Sequence, residues 1–155
     1  MDDFARRLQL DLSTPKGYDR HRLLLGVPDG SRDLVPQKAL LLESGFEELH
    51  GVSFDKGCFV GQELTARTKH RGLVKRRLFP MRVEGPLPEP GTIVTLGNRE
   101  AGEMRSGLDG RALALLRLDA AQAALRGEVE LTAKGSRVLP EIPDWMRHAA
   151  FSSPS

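Results

Sequence analysis

The sequence predicts an α+β protein whose first half mixes helices with turns and whose second half is a small β-barrel or sandwich. Two observations favour this class. Before position 72, apolar residues recur at helical spacing; after it, short apolar runs follow one another between glycine and proline turns. With 155 residues, 39% of them hydrophobic, the chain is long enough to bury one core, or one small domain and part of another.

Four helices are expected in the first half. They are expected over Phe4–Leu12, Tyr18–Gly26, Pro36–Gly45 and Gln62–His70. Gly26 is placed to end the second helix, because glycine accepts the left-handed conformation found just past helix ends. Pro36 suits the first turn of the third helix, where its missing N–H costs nothing. In the fourth helix, Glu63 and Arg67 have the (i, i+4) spacing of a stabilising ion pair.

Strands are expected in the second half, separated by turn residues. The runs are Leu73–Val83, Thr92–Leu96, Glu103–Leu108, Ala112–Leu118 and Val129–Ala133. Pro80 lies inside the first run and is expected at an edge or a bulge, since it has no N–H to donate to a neighbouring strand. A short helix is expected over Ala120–Leu125. Closely spaced strands of this kind are typical of a small barrel or sandwich.

Composition excludes several classes of protein. A single cysteine excludes a disulfide framework and is typical of a reducing compartment. No run reaches the roughly 18 apolar residues that a membrane span needs. The acidic start, Met1-Asp2-Asp3-Phe4, resembles neither a signal peptide nor a transit peptide. We therefore expect a cytoplasmic protein that makes no membrane contact.

Positive charge is concentrated in one run of the chain. The net charge is only +2, yet six basic residues lie close together with no acid between them: Arg67, Lys69, Arg71, Lys75, Arg76 and Arg77. Such a run can follow a phosphate backbone or hold a small polyanion, and it is as often a solvated face. Because no aromatic residues for base stacking are interleaved with it, nucleic acid is the weaker alternative.

One segment of eight residues, Lys56-Gly57-Cys58-Phe59-Val60-Gly61-Gln62-Glu63, is the most informative about function. It places the only cysteine between two glycines, beside a lysine and just before a predicted helix. A nearby ammonium group and a helix N-terminus favour the thiolate, which is the nucleophilic and metal-binding form. The glycines permit positive φ or close approach to a bound molecule. The alternative is a buried structural cysteine in a strand-to-helix turn.

A complete metal site within this chain is not expected. Metal centres that are bound through cysteine ordinarily take about four protein thiolates or a Cys/His mixture. The chain has one cysteine and four scattered histidines, without the spacing of a metal-ligand motif. Cys58 can instead bridge to a partner, share a cluster at an interface or take part in redox exchange. Among the histidines, His70 alone is kept as a candidate, because it lies in the basic helix next to the cysteine segment.

This segment and its surroundings resemble the signature of the YgfZ family, the folate-binding relatives of the glycine-cleavage T-protein that support iron–sulfur enzymes. The match runs on through Leu64-Thr65-Ala66-Arg67-Thr68-Lys69-His70-Arg71-Gly72. Weaker likenesses lie upstream, over residues 20–26, and downstream, over residues 102–107. The resemblance implies the C-terminal part of a T-protein-like folate-binding body over residues 1–75. A small antiparallel β-barrel over residues 76–145 and a tail over residues 146–155 would follow.

The resemblance also implies a ligand and partners. Tetrahydrofolate is expected as the cofactor, and the implied contacts are Arg22, Gly57, Gly61, Gln62, Glu63 and Arg67. Cys58 is the implied functional thiol, with Lys56 beside it. The expected partners are iron–sulfur client or assembly proteins and a separate N-terminal half of the fold. Without that half we expect folate binding to be weak, because a ligand normally enclosed by several domains loses much of its contact surface.

Two functions of different classes remain after the resemblance is considered. One is an accessory protein that supports iron–sulfur cluster assembly or repair through Cys58; the other is a folate-dependent aminomethyltransferase of the T-protein type. T-proteins have a carboxylate where this sequence has Leu24, and they lack the cysteine. A one-carbon transferase needs a group that stabilises charge on the reacting amine. The accessory function is therefore favoured, and a classical aminomethyltransferase is not expected.

Overall fold

Six antiparallel strands close into a barrel in the second half of the chain. The computed structural model describes residues 7–8, 13–57, 60–70 and 74–146. The strands are β1 (Arg76–Glu84), β2 (Ile93–Leu96), β3 (Arg99–Leu108), β4 (Arg111–Arg117), β5 (Leu131–Ala133) and β6 (Ser136–Pro140). Their order around the barrel is β1-β4-β3-β2-β5-β6, and pairing of β6 with β1 closes it. Closure leaves no exposed sheet edge.

Two helices precede the strands in the chain, and a third lies between β4 and β5. They are α1 (Pro15–Leu25), α2 (Glu63–His70) and α3 (Leu118–Leu125), with a short 3-10 turn at Asp144–Met146. The hydroxyl of Thr14 accepts a hydrogen bond of 3.0 Å from Gly17 N and so caps α1. Gly26 ends α1 with φ 73°. Among the described residues no helix is both long and apolar enough to cross a membrane.

The barrel interior is filled by apolar side chains from every strand. The largest fully buried ones in it are Phe79, Met81, Val94, Met104, Leu116, Leu131 and Val138. Gly102 on β3 is required by close packing, because a Cβ added there would lie 2.2 Å from the carbonyl oxygen of Leu115 on β4. The core therefore depends on a close approach of two backbones as well as on apolar volume.

The prediction of a small antiparallel barrel is confirmed. The five expected strands correspond to β1–β5, and the short helix expected over Ala120–Leu125 corresponds to α3. Pro80 lies within β1, opposite Leu113 of β4. Its carbonyl accepts a 2.8 Å hydrogen bond from Glu141 N, just past the end of β6. The N and O atoms of one residue point to the same side of an antiparallel strand. The nitrogen of Pro80, which has no hydrogen to donate, therefore faces the end of β6, where little strand pairing is lost.

Three points of the expected secondary structure need correction. Five strands were expected, and the barrel has a sixth, β6. The helix expected over Pro36–Gly45 is a series of turns, because Gln37 adopts φ 61° and interrupts a right-handed helix at its first turn. The expected α+β body is not seen as a sheet domain: over the described residues between 13 and 70, the chain forms α1, turns and α2 without a strand. Most of the helix expected over Phe4–Leu12 and most of the tail lie outside the described residues.

The turn segment, residues 27–52, is fastened directly to the barrel. The carboxylate of Asp33 accepts hydrogen bonds from Arg22 Nη1 at 2.9 Å and from the backbone N–H of Ser106 at 2.9 Å. Farther along, Leu78 N on β1 donates to Glu43 O at 2.8 Å. The indole N–H of Trp145 donates to Leu25 O at 2.7 Å. These contacts join α1, the turn segment and the barrel into one packed unit.

Candidate functional site

The signature loop, residues 56–62, connects the turn segment to α2. Gly57 and Gly61 have φ 82° and 86°, and among the described residues no heavy atom lies within 4 Å of a Cβ built at either position. The expected positive φ is confirmed, and the glycines set the path of the backbone without being packed against the protein. Cys58 lies outside the described residues. The structure therefore defines the thiol's chain neighbours, Lys56 and Gly57 before it and Val60 after it.

Much of the signature loop and the start of α2 face solvent. Val60 is completely exposed, and Leu64, one residue into α2, is 63% exposed. Glu63 and Lys56 are also exposed. Val60 and Leu64 thus place two apolar side chains where another molecule can reach them.

The start of α2 changes the expected electrostatics of the thiol. The helix begins at Glu63, so four residues separate it in sequence from Cys58. The favourable effect of a helix N-terminus falls off within about one turn, and Glu63 brings a negative charge to that terminus. The expectation of a stabilised thiolate therefore depends mainly on Lys56, two positions from Cys58 in sequence, and it stays a prediction.

The basic run does not form one continuous positive surface. Lys69 pairs with Glu47, and its ammonium group lies 4.2 Å from the centre of the Phe54 ring. Arg77 is buried, and its Nη2 lies 2.7 Å from Oε2 of Glu48. That contact is an approach of opposite charges without hydrogen-bond alignment. Because two basic side chains are engaged by acids of the turn segment, they hold α2 and β1 in place and contribute less to an open polyanion surface.

Arg22, the candidate folate contact on α1, has a different position from the one expected. It is 3% exposed. Its Nε donates to Asp19 at 2.7 Å, Nη1 to Asp33 at 2.9 Å and Nη2 to Ser106 at 2.8 Å. All three nitrogen atoms are thus engaged within the protein, which disfavours Arg22 as a ligand contact. Its role is to join α1 to the turn segment and the barrel.

The other candidate folate contacts lie together along the signature loop and the first turns of α2. Gly57 and Gly61 form the loop, Gln62 is half-buried at its end, and Glu63 and Arg67 are exposed one turn apart on α2. In the described part of the chain, no group of three or more His, Cys, Asp or Glu side chains could hold a metal ion. What the described part of this site offers is a set of exposed polar and apolar side chains that flank Cys58 in sequence.

A second candidate site, which the sequence did not predict, lies between residues 33–44 and the outer face of the barrel. This barrel cleft has a volume of about 450 Å³. Its lining includes Lys38, Glu43, Arg76, Leu78, Arg105 and Leu115. Arg105 is only 9% exposed. The available sequence signal was the Gly-Glu-Met-Arg-Ser-Gly run at residues 102–107, which carries charged residues within a strand.

Comparisons with known proteins found a family model that matches the barrel and relatives that match most of the chain. Residues 75–148 match the family model described as "CAF17, C-terminal beta-barrel domain". The mouse iron–sulfur cluster assembly factor IBA57, a mitochondrial protein, is 44% identical over 142 residues, which cover 86% of this chain and 38% of the relative. The human factor of the same name is 43% identical over 136 residues, covering 83% of this chain and 37% of the relative. A Neurospora crassa homologue of this factor is 41% identical over 105 residues, which cover 63% of this chain and 24% of the relative.

These comparisons refine the resemblance and correct one expectation. They support the YgfZ-like family broadly, and the specific likeness is to IBA57. The expectation of a cytoplasmic protein is contradicted, because these relatives are named as mitochondrial. The chain spans less than two fifths of the length of the mouse and human relatives. The chain is thus similar over most of its length to iron–sulfur cluster assembly factors, and its residues 75–148 are similar to the C-terminal beta-barrel domain of CAF17.

Proposed function

We propose that this chain supports iron–sulfur cluster assembly and that Cys58 is the group through which it acts. The observation that carries the proposal is its 44% identity, over 86% of the chain, to a protein named as an iron–sulfur cluster assembly factor. A match of that extent leaves only about 22 of 155 residues outside it. The signature loop lies more than 50 residues from either end of the chain and is therefore within the match.

The chemistry that we propose for Cys58 is ligand exchange on a cluster that is cargo and not a resident cofactor. The thiol loses its proton to solvent, and its sulfur forms a bond to an iron ion as one ligand of the delivering partner leaves that iron; the displaced ligand stays on the partner, and no oxidation state changes. One cysteine leaves the remaining coordination positions to a partner. The positive charge of Lys56 favours the thiolate, and exposure of Val60 and Leu64 leaves the loop open to that partner.

We also propose that tetrahydrofolate binds beside the thiol. The residues we assign to it are Gly57, Gly61, Gln62, Glu63 and Arg67. Arg22 is excluded from this set because its donors are engaged within the protein. The proposal is supported by the glycines, since no atom of the described residues lies within 4 Å of a Cβ built at either one, as a flat molecule against the backbone would require, and Arg67 is suited to a folate carboxylate.

Calorimetric titration with tetrahydrofolate tests the folate assignment. We expect weak binding by this chain and tighter binding when a separate N-terminal half is supplied. Arg67→Gln should weaken binding, whereas Arg137→Gln, on the exposed side of β6, should leave it unchanged. Equal weakening by both variants would contradict the assignment. Tight binding by the chain alone that Arg67→Gln leaves unchanged would contradict it as well.

Deletion of the gene tests the proposed function against the aminomethyltransferase alternative. We expect the activity of iron–sulfur enzymes to fall in cells that lack the gene, while enzymes without clusters keep theirs. The purified chain, with an N-terminal half supplied, should not transfer an aminomethyl carbon to tetrahydrofolate, because Leu24 replaces the carboxylate of the transferases. Measurable transfer, with unchanged iron–sulfur enzymes in the deletion cells, would establish the alternative.

A further inference from the structure

The barrel cleft has an apolar floor formed by the outward faces of three strands. Leu115 on β4 lies opposite Leu78 on β1 and also opposite Glu103 on β3, so these three residues form one row across the sheet. Residues 33–44 form the facing wall, and the Leu78 N to Glu43 O hydrogen bond of 2.8 Å holds them against β1. The result is a cleft of about 450 Å³, within the size range of small-molecule sites.

Basic side chains from three separate parts of the chain line this cleft. Arg105 on β3 is 9% exposed and is paired with Glu103. Arg76 on β1 and Lys38 of the turn segment are exposed and border the same cleft. Convergence of three cations on one partly apolar cavity is costly unless anions offset their repulsion.

The acids that line the cleft offset this charge only in part. Asp33 is fully buried and is neutralised by Arg22, with its carboxylate also accepting hydrogen bonds from two backbone N–H groups. Glu103 pairs with Nη1 of Arg105 and so offsets one of the three positive charges, while Arg76 and Lys38 remain at the border of the cleft. Burial raises the pKa of Glu43, which opposes its ionisation, although nearby Arg76 acts in the other direction. The cleft therefore favours a negatively charged guest.

We propose that the barrel cleft binds a small organic anion, whose apolar body lies on Leu78 and Leu115 and whose carboxylate or phosphate group contacts Arg105. Arg76 and Lys38 supply further charge at the border of the cleft. A guanidinium group presents several N–H donors in one plane, which suits either kind of oxyanion. No described residue of the signature loop lines the cleft, and the proposed binding makes no use of Cys58.

NMR titrations of the full chain with four small probes test the proposal. Benzoate and phenyl phosphate carry the two candidate anions on an apolar ring, and benzamidine and benzyl alcohol are the cationic and neutral counterparts. We expect at least one anion to shift the amide resonances of Ser44, Leu78 and Glu103, and the stronger of the two identifies the preferred oxyanion. Preference for benzamidine or benzyl alcohol, or absence of shifts at these amides with either anion, would overturn the proposal.

Charge-removing variants locate the binding group. Arg105→Gln should weaken anion binding by about tenfold or more, since a charge-assisted hydrogen bond is lost. Arg76→Gln should weaken anion binding less. Because Arg76 is exposed, this variant should fold, and it provides the test if Arg105→Gln does not fold. Arg137→Gln, away from the cleft, is the matched control. Affinity that is unchanged by the cleft variants, or reduced equally by the control, would overturn the site.

The pH dependence of anion binding gives a second readout. The titratable and charged groups that line the cleft with Glu43 are Asp33, Lys38, Arg76, Glu103 and Arg105. Because the raised pKa of Glu43 makes it neutral earlier as the pH falls, benzoate, a carboxylate that stays ionised at mildly acidic pH, should bind more tightly there than at neutral pH. Glu43→Gln should remove most of this dependence and increase affinity at neutral pH. A pH profile that this substitution leaves intact would contradict the assigned geometry.

Discussion

Arg22 and Asp33 form a buried ion pair that joins α1 to the turn segment. The Nη1 to Oδ2 distance is 2.9 Å, and the exposed fractions of the two side chains are 3% and 0%. The same two side chains contact Ser106 on β3, Arg22 through the serine hydroxyl and Asp33 through the backbone N–H. Three separate parts of the chain thus meet at one polar network, whose members satisfy one another away from water.

Removal of one partner of this pair should destabilise the protein strongly. We expect Arg22→Met to lower the free energy of unfolding by about 3–5 kcal/mol, because it leaves the Asp33 carboxylate buried without its counter-charge. Urea denaturation followed by circular dichroism measures the change. Arg137→Met removes an exposed pair with Glu84 and should cost less than about 1 kcal/mol. Similar losses from both substitutions would contradict the network.

Close packing of β3 on β4 predicts a second stability effect. Gly102→Ala should lower the free energy of unfolding by about 3 kcal/mol or more, since the new Cβ would lie 2.2 Å from Leu115 O and the strands would have to separate. Gly30→Ala places the same methyl group where no atom lies within 4 Å and should change stability by less than about 0.5 kcal/mol. Thermal unfolding of the two variants checks the difference, and equal melting temperatures would contradict the packing.

Asp19 predicts part of the sensitivity of the protein to acid. Hydrogen bonds from Arg32 and Arg22 lower the pKa of Asp19 from 3.8 to about 2. A lowered pKa means that the ionised carboxylate stabilises the folded state above pH 3.8 and loses this effect as the pH falls toward 2. Asp19→Asn should therefore be less stable than the parent at pH 7, with the difference shrinking between about pH 4 and 2. A difference that stays constant from pH 7 to 2 would contradict this role.

The thiol environment predicts a change in reactivity on removal of one charge. Lys56→Gln should slow alkylation of Cys58 by iodoacetamide at pH 7 by about threefold, because less of the thiol is ionised without the nearby ammonium group. Lys134→Gln, in the exposed turn between β5 and β6, is the matched control and should leave the rate unchanged. An unaltered rate in Lys56→Gln would show that Lys56 does not act on the thiol.

The barrel was predictable from sequence because turn residues mark its strands clearly. β6 was missed because Ser136–Pro140 offers two aliphatic residues and ends in proline, which is a weak strand signal. In the folded chain, β6 is required by its neighbours: it pairs with β1 from Met81 to Glu84 and also with β5. Its strand structure therefore comes from closure of the barrel and not from local preference.

The first half of the chain shows where local patterns mislead. Three consecutive leucines at 40–42 suggested a helix, yet Leu42 is buried and Leu41 is 41% exposed within a series of turns. Arg22 was predicted as a ligand contact because it lies in a motif, and its partner Ser106 is 84 positions away. Local spacing carries no information about such a distant contact. The signature loop, in contrast, was recognised because its glycines and its helix start are local features.

The most direct test of the central proposal is rescue of iron–sulfur enzyme activity by Cys58 variants in cells that lack the gene. Expression of the parent chain should restore these activities. If the chain requires a separate N-terminal half, that half is expressed together with it in every strain. Cys58→Ser and Cys58→Ala, produced at the same level, should fail, because a serine hydroxyl is neither ionised nor a soft iron ligand at neutral pH. Ser53→Ala, in the same part of the chain, should restore activity as the parent does. Full rescue by Cys58→Ser would contradict a role for the thiol in cluster assembly.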